Sequence, residues 1–268
     1  MKDVFFIVGF SRSGTTAMAR ILDTAANARV FVEQPPKMCI AARMKYEGIL
    51  PYPEEFILKS KQEKIREVHS QKMIYGDKNQ NYLYFIHEMR DIWKCKFIFL
   101  VRDGREVVRS ALNWEMKHQG GNYNRYEDHS ESTITQPEEN FWDFGRLRPL
   151  KGSKIHGKWK TMELFEKFAW SWNEYNKILF DKIHQLDSED YMLIDMNHVT
   201  ADHILELFQF LNLETFNESK VTALLGSKIN TTPLNESEIF PHWSDWDSNL
   251  MGKFKLYASE MMERMGYV

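Results

Sequence analysis

Short, wholly apolar runs alternate along this chain with longer segments in which apolar residues recur every three or four positions. The runs at Val4 to Val8, Phe97 to Val101 and Tyr191 to Ile194 are bounded by polar residues and predict buried strands, with weaker candidates at Val30 to Val32 and Met73 to Tyr75. Helical spacing predicts helices over residues 80–93, 104–117, 160–186, 200–211 and 249–265. Strands alternating with helices imply an α/β fold, three layers deep (α/β/α), around a central and mainly parallel sheet. Ligands of such sheets bind at the carboxyl ends of the strands. Trp170 and Trp172 share a helical stripe with Phe165, Phe168 and Tyr175 and read as core.

Residues 118–158 break the alternation. They are rich in Gly, Asn, Glu, Ser and Pro, yet carry Tyr123, Tyr126, Phe141, Trp142 and Phe144. A stretch this long inside a compact domain is expected to be a substrate-side insert or lid, or a disordered loop. The chain shows no internal repeat, and its 268 residues, 43% hydrophobic, suit one domain spanning 1–268.

Charge removes several classes of partner. A formal net charge of -3 and a pI near 6.3 give no whole-protein attraction to nucleic acid or anionic membranes, so any anion site is local. Cys39 and Cys95 lie far apart, resemble neither a disulfide framework nor a metal site, and fit a reducing compartment as packing residues. No apolar run reaches the roughly 18 residues of a membrane span, and Met1-Lys2-Asp3 runs into a strand without a signal-peptide pattern. A soluble, cytoplasmic protein is expected.

The chemistry concentrates where two predicted strands end. The first run continues into Gly9-Phe10-Ser11-Arg12-Ser13-Gly14-Thr15-Thr16, and Ala17, Met18, Ile21, Leu22 and Ala25 then recur at a helical period. A strand, a glycine-bounded loop and a helix start form a phosphate cradle, because loop N–H groups and the positive end of the helix dipole converge on one spot. Nucleotide triphosphatases require Gly-x4-Gly-Lys-Ser/Thr; here Gly9 and Gly14 keep that P-loop-type spacing, but Thr15 stands in the lysine position. Arg12 supplies a cation within the loop. The plain alternative is a strand-to-helix turn whose glycines serve only geometry.

The second site follows the run at Phe97 to Val101, which leads directly into Arg102-Asp103-Gly104-Arg105 and on through Arg109-Ser110. Arg102 at the strand end and Ser110 two helical turns along are placed to reach one group across that edge, and a guanidinium fork with a hydroxyl suits a phosphate monoester. Asp103 admits a magnesium-ligand reading, against which the intervening Arg102 counts, and equally a helix-capping one. With the first loop, a nucleotide carrying two separate phosphates is the simpler account.

With these two motifs in this order, the chain resembles the sulfotransferases that use 3'-phosphoadenosine 5'-phosphosulfate (PAPS), most of all their tyrosylprotein and carbohydrate branch. The first loop looks like that family's 5'-phosphosulfate loop, and Arg102 through Ser110 look like its 3'-phosphate segment. The resemblance implies that Arg12, Ser13, Gly14, Thr15, Thr16, Arg102 and Ser110 bind the cofactor. It also implies that Glu33, 21 positions after Arg12, is the catalytic base, and that Lys78 in Gly76-Asp77-Lys78-Asn79 matches the family's lysine. Taken alone, Glu33 reads as a strand-end carboxylate and Lys78 as a solvated lysine. Ser227 and Lys228, in Ser227-Lys228-Ile229-Asn230-Thr231-Thr232, loosely resemble the segment that closes over the 3'-phosphate. Residues 261–267 are similar to the family's terminal helix, whereas Asp195-Met196-Asn197-His198 departs from its usual Tyr-Glu-Asp-Leu-like sequence.

The implied reaction is in-line transfer of a sulfuryl group from PAPS to a hydroxyl on a small molecule or carbohydrate, releasing 3'-phosphoadenosine 5'-phosphate (PAP). Glu33, Lys78 and Arg12 are the implied catalytic residues. The donor lacks a polyphosphate chain, so no metal is required. His118 is an alternative base; Arg146, Arg148, Lys151 and Lys154 are candidates for holding an anionic acceptor, and the aromatics of the insert for an acceptor platform. Two other readings stand beside this one: a metal-dependent, kinase-like P-loop enzyme, and a non-catalytic nucleotide-binding module.

Overall fold

A computed structural model describes residues 3–35, 38–119, 147–227 and 239–267 of the chain. Five strands, β1 (Val4–Gly9), β2 (Ala28–Val32), β3 (Ile74–Lys78), β4 (Lys96–Val101) and β5 (Tyr191–Asp195), form one parallel sheet in the order β2-β3-β1-β4-β5. Every pairing is parallel, with Ile7 of β1 beside Lys78 on one side and Ile98 on the other. Strands covered on both faces have no polar face to offer solvent, which is why β1 and β3 are buried at every position. The edge strands β2 and β5 are partly exposed, Val32 and Leu193 among their residues.

The alternation of side chains divides the core in two. Phe5, Ile7, Ile98, Leu100 and Ile194 face one layer, made by α1 (Thr15–Leu22), α7 (Ala201–Leu211) and α8 (Glu218–Gly226). Phe6, Val8, Phe97, Phe99 and Val101 face the other. That second layer holds α2 (Cys39–Tyr46), α3 (Glu54–Ser70), α4 (Ile86–Trp93), α5 (Gly104–Gln119), α6 (Leu164–Ile183) and α9 (Ser248–Arg264). The three-layer α/β/α architecture read from the sequence is the one observed. Cys39 and Cys95 are both buried, and neither forms a disulfide among the described residues. Among the described residues no helix is long and apolar enough to cross a membrane.

Some element limits differ from those read in the sequence. The helix expected over 80–93 is a 3₁₀ turn, Gln80–Phe85, followed by α4, because Asn79 caps the turn by accepting the Asn81 amide (2.9 Å). The helix expected over 160–186 is a 3₁₀ turn at Trp159–Thr161 and then α6, which restarts where the Glu163 amide donates to the Glu166 carboxylate (2.7 Å). Helices α2, α3 and α8 have too weak an apolar period to be read. In the stretch expected as an insert, α5 extends to Gln119, and 120–146 lie outside the described residues, including Tyr123, Tyr126, Phe141, Trp142, Phe144 and Arg146.

Candidate functional site

At the carboxyl edge of the sheet five strand ends present their following residues side by side. The central one is the loop after β1. Gly9 is required there for close approach, since a Cβ on it would stand 2.7 Å from the Leu100 carbonyl oxygen of β4 and 2.9 Å from Thr15 Cγ2. The loop tightens through the Ser13 amide, which donates to the Phe10 carbonyl (3.1 Å), and Phe10 is fixed by edge-on packing against Tyr175. Arg12 and Gly14 both adopt left-handed backbone, with φ of 70° and 85°. Gly14 is the N-cap of α1 and no side chain caps the helix there, which leaves the first-turn amides beside Thr15 and Thr16 directed at an outside acceptor. Ser13 and Thr15 are buried against the loop.

The second motif meets the first directly. Arg12 Nε donates to Ser110 Oγ of α5 (3.1 Å), and Arg102 Nη1 donates to the Arg12 carbonyl oxygen (3.3 Å). Burial first, and the Arg102 guanidinium second, push the Arg12 pKa below its ordinary value. Glu106, in the first turn of α5, is shared by Arg102 (3.6 Å), Arg109 (3.9 Å) and His242 (3.1 Å). An anion entering this corner meets two guanidiniums, one of them shared with the Glu106 carboxylate, a hydroxyl and an uncapped helix start.

Arg102 is held from behind. Trp172 Nε1 of α6 donates to the Arg102 carbonyl oxygen (3.2 Å), and the same indole lies flat against Gly104, where a Cβ would come within 2.8 Å of the ring. Asp103 caps the start of α5: its carboxylate accepts the Arg105 amide (2.8 Å) and pairs with the Arg105 guanidinium (2.6 Å). Arg105 also donates to the Tyr267 carbonyl (2.8 Å), and the Tyr267 hydroxyl donates to Asp195 (2.8 Å), so the terminal segment after α9 is tied to the ends of β4 and β5.

On the other side of β1, Glu33 follows β2 and Lys78 ends β3. The Glu33 amide donates to the Lys78 carbonyl (2.8 Å), and Lys78 Nζ donates to Glu33 Oε1 (2.8 Å). Both side chains are largely sheltered, 20% and 10% exposed, so Lys78 is not a solvated lysine. Glu33 has φ of 56°, a left-handed conformation that is uncommon outside glycine and clusters at functional sites. Three strand spacings separate Glu33 from Arg102, about 14 Å across the edge.

The remaining candidates are spread more widely. Ser227 ends α8 and donates to the Leu224 carbonyl of its own turn (2.8 Å), while Lys228 lies outside the described residues. The stretch around Phe240 to Trp243 is seated against α5: Arg109 donates to the Phe240 carbonyl (3.2 Å), and the Arg105 guanidinium lies 4.2 Å over the Trp243 ring. His118 falls on α5, its side chain outside the described residues. Arg148 is buried beside Arg43, Tyr46 and Tyr84, whereas Lys151 and Lys154 are exposed. Met196, at the site although its segment departs from the family pattern, packs on Gly14. In the sequence Trp172 reads only as core, since a period cannot reveal which buried indole also serves a hydrogen bond.

Neither a protein-family model nor any curated protein matches the sequence. Solved structures do. The sulfotransferase domain from the Synechococcus PCC 7002 olefin synthase is matched over 100% of this chain and 97% of its own, with a TM-score of 0.50 at 13% identity. The sulfotransferase domain from the curacin biosynthetic pathway gives 0.49 at 14% identity, covering 100% and 99% of the two chains. A sulfotransferase from Alicyclobacillus acidocaldarius gives 0.44 at 15%, covering 98% and 94%. The first of these shows that the chain has the sulfotransferase fold; activity has to be argued from the site itself.

Proposed function

We propose that this chain is a PAPS-dependent sulfotransferase, with residues 1–268 as one catalytic domain and a small-molecule or carbohydrate hydroxyl as acceptor. The observation that carries the reading is the convergence at one sheet edge of an uncapped phosphate loop, a second anion corner at Arg102 and Ser110, and a sheltered Glu33–Lys78 pair. A kinase-like reading gains nothing from Asp103, whose carboxylate is engaged by Arg105 and the start of α5.

In this account the amides at Ser13 to Thr16 and the Arg12 side chain hold the 5'-phosphosulfate, and Arg102 with Ser110 holds the 3'-phosphate. Arg12 is turned toward Ser110 in the structure and so stands between the two phosphate positions. Glu33 takes the proton of the acceptor hydroxyl as its oxygen bonds to sulfur and the bond from sulfur to the phosphate oxygen breaks. Lys78, next to Glu33, faces the charge that builds on that leaving oxygen. General-base help is worth about 10² to 10⁴ in rate, and fixed donors aimed at developing charge commonly contribute more. The resemblance of the first loop and of Glu33 supports the tyrosylprotein and carbohydrate branch as the nearest one.

The test is thermal. PAP at a hundredfold excess over Kd stabilises the native state by about 2.7 kcal/mol, and at roughly 2–4 °C per kcal/mol the melting temperature rises by about 5–10 °C. ADP at the same concentration is expected to do far less, having no 3'-phosphate for Arg102 and Ser110. Equal shifts with both nucleotides would overturn the two-phosphate assignment.

A further inference from the structure

Behind the Glu33–Lys78 pair lies a second charged pair that faces no solvent. Lys61 of α3 and Asp77 of β3 are both fully buried, with Nζ and Oδ2 3.4 Å apart. The Tyr75 and Tyr82 hydroxyls also donate to Asp77 Oδ2, the former at 3.4 Å. Burial pushes the Asp77 carboxyl up and the Lys61 amine down, and the partner's charge opposes the shift of each. Replacing a buried ion pair with packed apolar side chains is often neutral or stabilising, so core stability by itself is a weak reason for this one.

What the pair grips gives a better reason. Asp77 Oδ1 accepts the Gln34 amide (3.2 Å), and Lys61 Nζ donates to the Gln34 carbonyl oxygen. Both polar backbone groups of Gln34 are therefore taken by buried charges. Gln34 is the residue after Glu33, whose own amide is on Lys78 and whose φ is 56°. A non-glycine residue keeps that conformation only when its surroundings enforce it. The adjacent positions Asp77 and Lys78 thus work in opposite directions, one holding the chain after Glu33 and the other meeting its carboxylate.

We propose that Lys61 and Asp77 are positioning residues, which clamp Gln34 and thereby hold Glu33 in the left-handed conformation that sets its carboxylate on Lys78. The inference rests on the reading of Glu33 as the general base.

The test uses the double variant Lys61→Met/Asp77→Leu, which leaves no orphan charge in the core, and a control, Lys61→Met/Asp77→Asn, which leaves none either and keeps an oxygen for the Gln34 amide. With the double variant, sulfuryl transfer at saturation is expected to fall at least tenfold while the Kd for PAP stays within twofold. The control should recover part of the loss. In a Glu33→Gln background the double substitution should cost less than twofold, because the group it positions is already disabled. Wild-type turnover in the folded double variant, or the same loss in both backgrounds, would overturn the proposal. A crystal structure of the double variant separates this inference from the reading beneath it. If Glu33→Gln proves fully active, the base assignment fails, and the backbone at Glu33 still decides the clamp. Departure of Glu33 from the left-handed region supports the clamp, and an unchanged φ with the Lys78 contact intact overturns it.

Discussion

Gly14→Ala isolates the backbone geometry on which the phosphate loop depends. Gly14 has φ of +85°, and a Cβ there would stand 2.8 Å from Met196 Cε. An L-residue in the left-handed region costs about 1–2 kcal/mol. The methionine end is flexible and can move aside for a further ~0.5–1 kcal/mol of rotamer strain. Against these, alanine restricts the unfolded chain and returns about 0.4–1 kcal/mol. The net is a destabilisation of about 1–2 kcal/mol, a fall of roughly 2–8 °C in melting temperature at 2–4 °C per kcal/mol. Differential scanning calorimetry of the apo protein reads it directly. Adding Met196→Ala should remove the collision but not the backbone cost, so the double variant still melts below Met196→Ala alone. A Gly14→Ala protein melting at or above wild type would refute the reasoning, because the loop would then accept a right-handed backbone at its helix start.

Two further substitutions probe the adjoining corner at Arg102. Arg102→Ala removes a charge-assisted contact worth about 1.5–3 kcal/mol, so titration calorimetry should show PAP binding weakened by about tenfold or more. Turnover at saturation should change little, since a 3'-phosphate contact is equal in ground and transition states. Trp172→Phe leaves the Arg102 carbonyl without its 3.2 Å donor, and the melting temperature should drop by an amount matching about 1–3 kcal/mol; an unchanged melting temperature would show that this bond is replaced by solvent.

Much of the frame is legible because burial on two faces writes itself as unbroken apolar runs. β1 and β4 are such runs, and each ends in a candidate binding loop, so Arg12, Arg102 and Ser110 can be named from order and spacing. Asp103 is legible only as a choice, which its contacts with Arg105 resolve toward helix capping. Helix α3 is hidden by the residue that matters most in it: Lys61 occupies a core position between Leu58 and Ile65, and a charge there interrupts the apolar stripe. Asp77 likewise makes β3 look like a loop after Tyr75, although the strand runs buried to Lys78. Tyr82 to Phe85 are buried on all sides, which erases the period that would distinguish a 3₁₀ turn from a helix. Long-range partners of this kind carry no local pattern, and only the fold brings them together.

The most direct test of the central claim is the rate at which labelled sulfuryl passes from PAPS to a panel of phenol, sugar and alcohol acceptors, for wild type, Glu33→Gln and His118→Ala. Glutamine keeps the shape of glutamate but cannot take the proton. The account predicts wild-type PAP affinity in Glu33→Gln with turnover lower by about 10² or more, and a smaller loss with acidic phenols than with aliphatic alcohols. Near-normal turnover in Glu33→Gln, together with collapse in His118→Ala, would contradict it and move the base to the far end of α5.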